Sequence, residues 1–336
     1  MCIENNAGTW KIVGLNFLPI IFLSNMTNLR AKGFFHLTLV YLIWGSTFLG
    51  IRFAVRGEGG FPPYTLAAIR VGIAALIMFL VSILSGKSLS VSRATLLHLV
   101  ITGLLLWVGG HAWVIWGAQK ADSGYAALLF GATPLWAVLF EFLIHKKSLN
   151  LPSIVSVLLG FTGIICLSVP GLLDKNNSGN APDLLTFLAL SLAPASWALG
   201  SVLQGDKLKE IPALVSAGYQ QLFAAIGCGL LALFFSEPIP HPSNEALFGL
   251  SYITLLGSVV AFYSFTRALQ LLPSSIVMSF AYVNPVIAVI LGFFWAGEQI
   301  TFWSLAGMFF IITGVIILLQ ADKNHLADKE LEHGNI

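Results

Sequence analysis

Ten stretches of the chain are apolar on every side rather than along one stripe: residues 34–51, 64–84, 95–118, 123–144, 154–170, 184–204, 212–235, 246–266, 274–296 and 301–319. Each comes close to the roughly 20 residues that a helix needs to cross a bilayer. A helix on the surface of a soluble domain keeps one polar face, and these runs keep none. A membrane barrel strand would alternate apolar and polar positions over about 10 residues, which these do not. The polar residues collect in short connections, none long enough to fold as a separate soluble unit. The pattern predicts an all-α integral membrane fold with ten transmembrane helices.

Composition points the same way. The chain is 57% hydrophobic and 10% charged, with mean hydropathy +0.86. A soluble domain carries roughly 25% charged residues, so this one could not coat a water-facing surface. Three cysteines in 336 residues make no disulfide framework. Cys166 and Cys228 lie in apolar runs and read as small hydrophobic side chains. A net charge of +2 offers no basic face to nucleic acid. The pattern G-x-x-x-x-G-K-[ST] is absent, and no cofactor or metal is expected.

The placement of charge predicts the orientation. Basic loops resist translocation, so the side richer in Lys and Arg is cytoplasmic. With the N-terminus inside, twelve fall there: Lys11, Arg30, Lys32, Lys87, Arg93, Lys146, Lys147, Lys207, Lys209, Arg267, Lys323 and Lys329. Four fall outside: Arg52, Arg56, Lys120 and Lys175. Only Arg70 lies within a span. An even number of spans returns the C-terminus, residues 321–336, to the cytoplasm. Residues 1–33 form an N-terminal cytoplasmic segment in which the apolar run 12–23 is too short to span. That run reads either as an interfacial or signal-like stretch, or as sequence upstream of a true start at Met26.

The chain also matches itself. Residues 123–167 align without a gap on residues 274–318, an offset of 151. Among the coincidences are Ser123 with Ser274, Pro134 with Pro285, and Thr162-Gly163 with Thr313-Gly314. Trp44 in span 1 has a looser counterpart in Trp197 of span 6. Spans 1–5 and 6–10 therefore read as two copies of one unit. Five is odd, so the second copy is inverted relative to the first. Inverted repeats underlie alternating access in many secondary transporters, with the substrate site near the midplane between them.

Polar groups inside the membrane mark the candidate pathway. Pro134 and Pro285 fall near the middles of spans 4 and 9, where each takes away the usual partner of the carbonyl four residues back, on Phe130 and Ala281. Thr133 and Asn284 add polar groups at the same depth. Arg70 costs at least ~2.5–3.5 kcal/mol to place in a span. It either snorkels to the outer headgroups or supplies a fixed positive charge for a carboxylate or phosphate. Glu141, near the cytoplasmic end of span 4, reads as interfacial beside Lys146 and Lys147. No carboxylate occupies a span centre, which argues against an obligate lipophilic cation. Trp44, Ser46, His111, Trp197, Tyr219, Gln220, Gln221, Tyr263 and Tyr282 complete a set suited to a neutral or zwitterionic cargo. Ser156, Gly160, Gly163, Gly307 and Gly314 allow close helix approach in spans 5 and 10. Those spans are assigned to scaffold or homodimer contacts.

The run Ser279-Phe-Ala-Tyr-Val-Asn-Pro-Val-Ile-Ala-Val-Ile-Leu-Gly292, followed by Gly297-Glu298-Gln299-Ile300-Thr301, resembles the second-repeat signature of the EamA family of the drug/metabolite transporter (DMT) superfamily. Tyr41-Leu-Ile-Trp-Gly-Ser-Thr-Phe48 and Ala67-Ala-Ile-Arg70 resemble its first-repeat pattern. The likeness runs from Phe34 to Gln320 and is nearest to the YedA-like exporters of that family. It implies a first EamA repeat over residues 34–173 and a second over 184–320. It also implies export of small metabolites or drugs across a bacterial inner membrane through a central cavity. Carried over, it favours Trp44, Ser46, Arg70, Thr133, Pro134, Tyr282, Asn284 and Pro285 as pathway or gating positions. Lys146-Lys147 stand where the second repeat has Gly297-Glu298, so those two turns cannot play equivalent roles.

The expected function is that of a secondary transporter, not an enzyme, exporting small amphipathic metabolites such as amino acids. A sugar-phosphate or nucleotide-sugar exchanger of the same superfamily would want several basic residues in the cavity. An intramembrane protease would want a serine in a Gly-rich context facing a histidine, or paired aspartates. The chain offers neither arrangement.

Overall fold

The computed structural model describes residues 2–4, 10–12, 17–120, 123–146, 150–173, 184–204, 208, 211–296, 302–303, 305–317 and 320. A short antiparallel pair joins Cys2–Glu4 to Trp10–Ile12. All other regular structure among the described residues is helical. In chain order the helices are α1 Phe17–Val55, α2 Pro63–Leu84, α3 Arg93–Gly117, α4 Ser123–Phe130, α5 Thr133–His145 and α6 Leu151–Leu173. The second half gives α7 Leu184–Gln204, α8 Ala213–Phe234, α9 Asn244–Leu271, α10 Ser274–Val277, α11 Phe280–Ala296 and α12 Leu305–Ile317.

Among the described residues, five stretches are long and apolar enough to cross a membrane: Leu29–Val55, Pro63–Leu84, Arg93–Gly117, Ala213–Phe234 and Asn244–Leu271. Five shorter apolar helices fall in the remaining predicted spans. The apolar run at 12–23 is not an element of its own. Ile12 ends a strand, and Phe17 onward continues into α1. Pro19 falls in the first turn of that helix, where its missing N–H costs nothing. Lys147, the turn 297–300 and the tail 321–336 lie outside the described residues.

Helix ends show how far the two halves are alike. Pro62 and Pro212, 150 residues apart, precede α2 and α8. Both helices close on a residue of positive φ, Gly86 at 68° and Ser236 at 51°, also 150 apart. The next N–H groups, on Lys87 and Glu237, return to the carbonyls of Ser82 and Ala232 at 2.9 Å. These are the five-back bonds that satisfy the orphan carbonyls at a helix end. Ser92 and Ser243, 151 apart, cap α3 and α9 by accepting from Thr95 N and Ala246 N at 3.1 and 3.2 Å. Both of those helices then widen into π-helix, over Leu104–Ala112 and Ile253–Ala261.

Side chains are sorted as hydrocarbon would sort them. Leu76, Leu80, Leu84, Leu233 and Phe234 are exposed, whereas Arg70, Thr102, Gln220, Gln221 and Asn284 are buried. An apolar exterior of this extent is untenable in water and natural in lipid. The small residues of α6 and α12 bring those helices together within the chain. Ser156 Oγ donates to Gly314 O at 2.8 Å, and a Cβ on Gly163 would meet Gly307 O at 2.7 Å.

Candidate functional site

The two π-helical segments converge on one side chain. A π segment inserts an extra residue per turn and re-aims its side chains, and such segments recur at functional sites. Here the first presents His111 and the second Ser258, and both hold Arg70. Arg70 is fully buried. Its Nε donates to Ser258 Oγ at 2.7 Å, and its Nη1 donates to His111 Nε2. A guanidinium only donates, so His111 Nε2 is the acceptor and the imidazole is neutral with its proton on Nδ1. The guanidinium carbon lies 5.1 Å from the centroid of the Trp107 ring.

The remaining nitrogen, Nη2, has no hydrogen-bond partner among the described residues. It rests beside Gly257, where an added Cβ would come within 3.1 Å of it. The glycine leaves room for the guanidinium and for Thr47, and its carbonyl accepts from Trp44 Nε1 at 3.0 Å.

A small chamber opens at this point, between the halves of the chain. α1 contributes Trp44, Thr47 and Phe48; α2 contributes Arg70; α3 contributes Trp107, His111 and Val114; Phe130, Trp197, Phe280 and Asn284 close the rest. Its volume is about 20 Å³, room for roughly one water molecule. Trp44 and Trp197, the loosely matched pair of the two repeats, meet edge to face here with ring centroids 5.3 Å apart. The indole N–H groups of Trp107 and Trp197 and the amide oxygen of Asn284 are buried without partners. Among the described residues, no carboxylate lines the chamber. A buried cation without a counter-charge is costly, by several kcal/mol even after relaxation. An acceptor-rich, negatively charged group would offset that cost.

Of the residues singled out by sequence, Trp44, Arg70, His111, Trp197 and Asn284 line this chamber. Thr133 stands one step behind it. Its hydroxyl donates to Phe130 O at 2.5 Å, supplying a partner for the carbonyl that Pro134 leaves without one. Pro134 itself sits at the start of α5, whereas Pro285 is inside α11. Ser46 points elsewhere, donating to Ile43 O at 2.7 Å and pairing with the Tyr252 hydroxyl at 2.5 Å. Tyr263 packs edge-on against His36, with centroids 5.6 Å apart. Tyr282 is buried against Gly160 and clusters with Ile311 and Val315.

Glu141 is buried. It accepts from the Ser274 hydroxyl and pairs with His145 Nδ1 at 3.1 Å. Gln220 and Gln221 brace neighbours: Gln220 donates to Thr102 Oγ1 at 2.9 Å, and Gln221 to Ser258 O at 3.1 Å. Thr47, Phe48, Trp107, Val114, Phe130 and Phe280 were not among the predicted site residues. Helical spacing could have found several of them. Trp44, Thr47 and Phe48 share one face, as do Trp107, His111 and Val114.

Comparison with known proteins gives a consistent family. Residues 31–169 and 184–320 each match the EamA-like transporter family. Over 280 residues the chain is 29% identical to the uncharacterized inner membrane transporter YedA of Escherichia coli K12, covering 83% of this chain and 88% of the relative. It is 24% identical over 281 residues to the uncharacterized transporter YoaV of Bacillus subtilis 168, covering 83% and 93%. Protein PecM of Dickeya dadantii 3937 is 26% identical over 284 residues, covering 82% and 88%. A solved structure titled only as the crystal structure of a protein superposes with a TM-score of 0.70 at 20% identity, covering 89% of this chain and 98% of that one. That likeness concerns the fold.

Proposed function

We propose a function from the premise that this chain belongs to the EamA-like transporter family, whose two matching stretches cover most of its length. It is a secondary transporter that exports small amphipathic metabolites, amino acids or related compounds, across the bacterial inner membrane. The observation that carries this reading is the buried guanidinium of Arg70. It stands in an aromatic chamber with no lining carboxylate and with one nitrogen unpartnered. A carboxylate on the cargo would complete that site, and the tryptophan faces would take its apolar part.

The chain crosses the membrane ten times as two inverted five-helix repeats, with both termini in the cytoplasm. The twelve-to-four bias of Lys and Arg supports this orientation. A chamber of about 20 Å³ is too small for a metabolite, so loading requires the walls to part. The breaks between α4 and α5 and between α10 and α11 are where the backbone can yield, which fits alternating access. A sugar-phosphate exchanger fits less well, because among the described residues Arg70 is the one permanently cationic residue lining the chamber.

The test is a survival screen of cells overproducing the protein, challenged with toxic analogues of amino acids and other small carboxylates. Resistance to at least one analogue, lost in Arg70→Ala and Asn284→Ala, is the expected result. Resistance that survives both substitutions would place the cargo elsewhere.

A further inference from the structure

The bond between Arg70 and His111 ties the charge of one to the charge of the other. Arg70 Nη1 can only donate, so His111 Nε2 can receive it only while the imidazole is neutral. A proton on Nε2 would set two donors face to face and bring a second cation against the first. The other groups around His111 offer no relief. Trp107 lies on its own helix, Trp197 faces it from α7 and Asn284 shares the chamber from α11. Cys228, from α8, lies with it behind the Arg70 side chain. Ser258 of α9 is already engaged by Arg70 Nε, and Thr47 of α1 is neutral. Among the described residues, Arg70 and the Cys228 thiol are thus the titratable or charged groups around it, and neither is a carboxylate.

We propose that His111 is a proton-binding site whose occupancy is linked to the cargo: it takes a proton when an anion occupies Arg70. The inference rests on the reading that the chamber receives a carboxylate. An anion at the unpartnered Nη2 offsets the guanidinium charge and draws Arg70 toward itself. That frees His111 Nε2 to bind a proton from water and to donate to the same anion. Linkage makes the effect reciprocal, so a proton on His111 tightens the anion by the factor by which the anion tightens the proton. The loaded chamber, holding one anion and one proton beside Arg70, carries the same net charge as the empty one. The walls can then move in either state without a change in the charge they bury.

The experiment uses the full chain, purified in detergent, with acetate, benzoate, glycine and phenylalanine as probes. Quenching of tryptophan fluorescence gives the dissociation constant between pH 5.5 and 8. Wild type is expected to bind at least one probe and to weaken by up to tenfold per pH unit as pH rises. Binding in weak buffer is expected to take up protons, seen with an indicator dye. His111→Gln keeps an acceptor for Arg70 and is expected to bind with no pH dependence, as is His111→Asn. Cys228→Ser is expected to keep the wild-type slope.

Binding that is independent of pH in wild type, an unchanged slope in both His111 variants, or a slope lost in Cys228→Ser would overturn the proton site while leaving the carboxylate reading intact. Absence of quenching by every probe, or undiminished binding in Arg70→Gln, would overturn both.

Discussion

The two halves of the chain share a scaffold and differ in their chemistry. Helix starts and stops repeat at an offset of 150 or 151: Pro62 with Pro212, Gly86 with Ser236, Ser92 with Ser243. At the offset of the second helix pair, Arg70 corresponds to Gln220, so the buried charge belongs to the first half alone. The broken helices diverge as well. In the first half the break lies at Gly131-Ala132 and Pro134 begins α5. In the second it lies at Met278-Ser279, about a turn earlier in register, so Pro285 falls inside α11. The same dipeptide pattern, a polar residue before proline, therefore starts one helix and interrupts the other. The scaffold provides two matching sets of helices, and the substitutions decide which set carries the charge and which carries the interrupted helix.

Making the halves alike at the charged position is expected to have the largest effect. Arg70→Gln leaves the chamber without its cation. Losing a buried charged contact of this kind costs about 2–5 kcal/mol, so transport should fall about 30-fold or more. Uptake by proteoliposomes of whichever analogue the screen identifies measures it, and near-normal rates would mean the charge asymmetry is incidental.

The prolines come next. Pro285→Ala restores an N–H for the carbonyl of Ala281 and removes a defect worth up to about 3 kcal/mol. The expected outcome is a higher Tm together with slower transport. Pro134→Ala, at the start of α5 where the Thr133 hydroxyl already serves the Phe130 carbonyl, is expected to change either quantity little. Equal effects of the two would erase the distinction between starting and interrupting a helix.

The seam between the halves gives a smaller, purely structural effect. A Cβ at Gly103 would meet Gln220 O at 2.5 Å and Gln220 Cα at 2.8 Å, both backbone atoms of the facing helix. Gly103→Ala is therefore expected to cost about 1–3 kcal/mol and to lower the Tm. Gly229, with nothing within 4 Å of an added Cβ, serves as control. Gly229→Ala should leave the Tm unchanged or raise it. Smallest of all are the caps. Ser92→Ala and Ser243→Ala should each cost about 1 kcal/mol. Chemical denaturation of the two variants should give matching losses, and a clear inequality would show that the likeness of the two ends is geometric but not energetic.

Much of this was legible in the chain. The runs of apolar residues located all five long apolar helices and the five shorter ones. The self-match picked out the segments that form α4–α6 and α10–α12. Five of the nine candidate binding residues line the chamber. Those that do not line it have specific placements. Ser46, Tyr263 and Tyr282 are polar at a suitable depth, but depth does not say which way a helix face turns. Tyr282 faces α6 because Gly160 leaves room for its ring there. Glu141 looked interfacial because its neighbours in sequence are lysines. Its partner Ser274 comes from the other half of the chain.

The sequence by itself determined the solvent this chain is built for, the positions of its helices and the existence of two related halves. Hydrophobicity, helix caps and prolines act over a few residues, so they can be read in order along the chain. Tertiary structure decided the rest. It brought His111 and Ser258 to Arg70, turned Trp44 onto Trp197, and left one guanidinium nitrogen without a partner. Those outcomes depend on how two π-helical segments re-aim side chains far apart in sequence, and no local pattern encodes which side chains will meet.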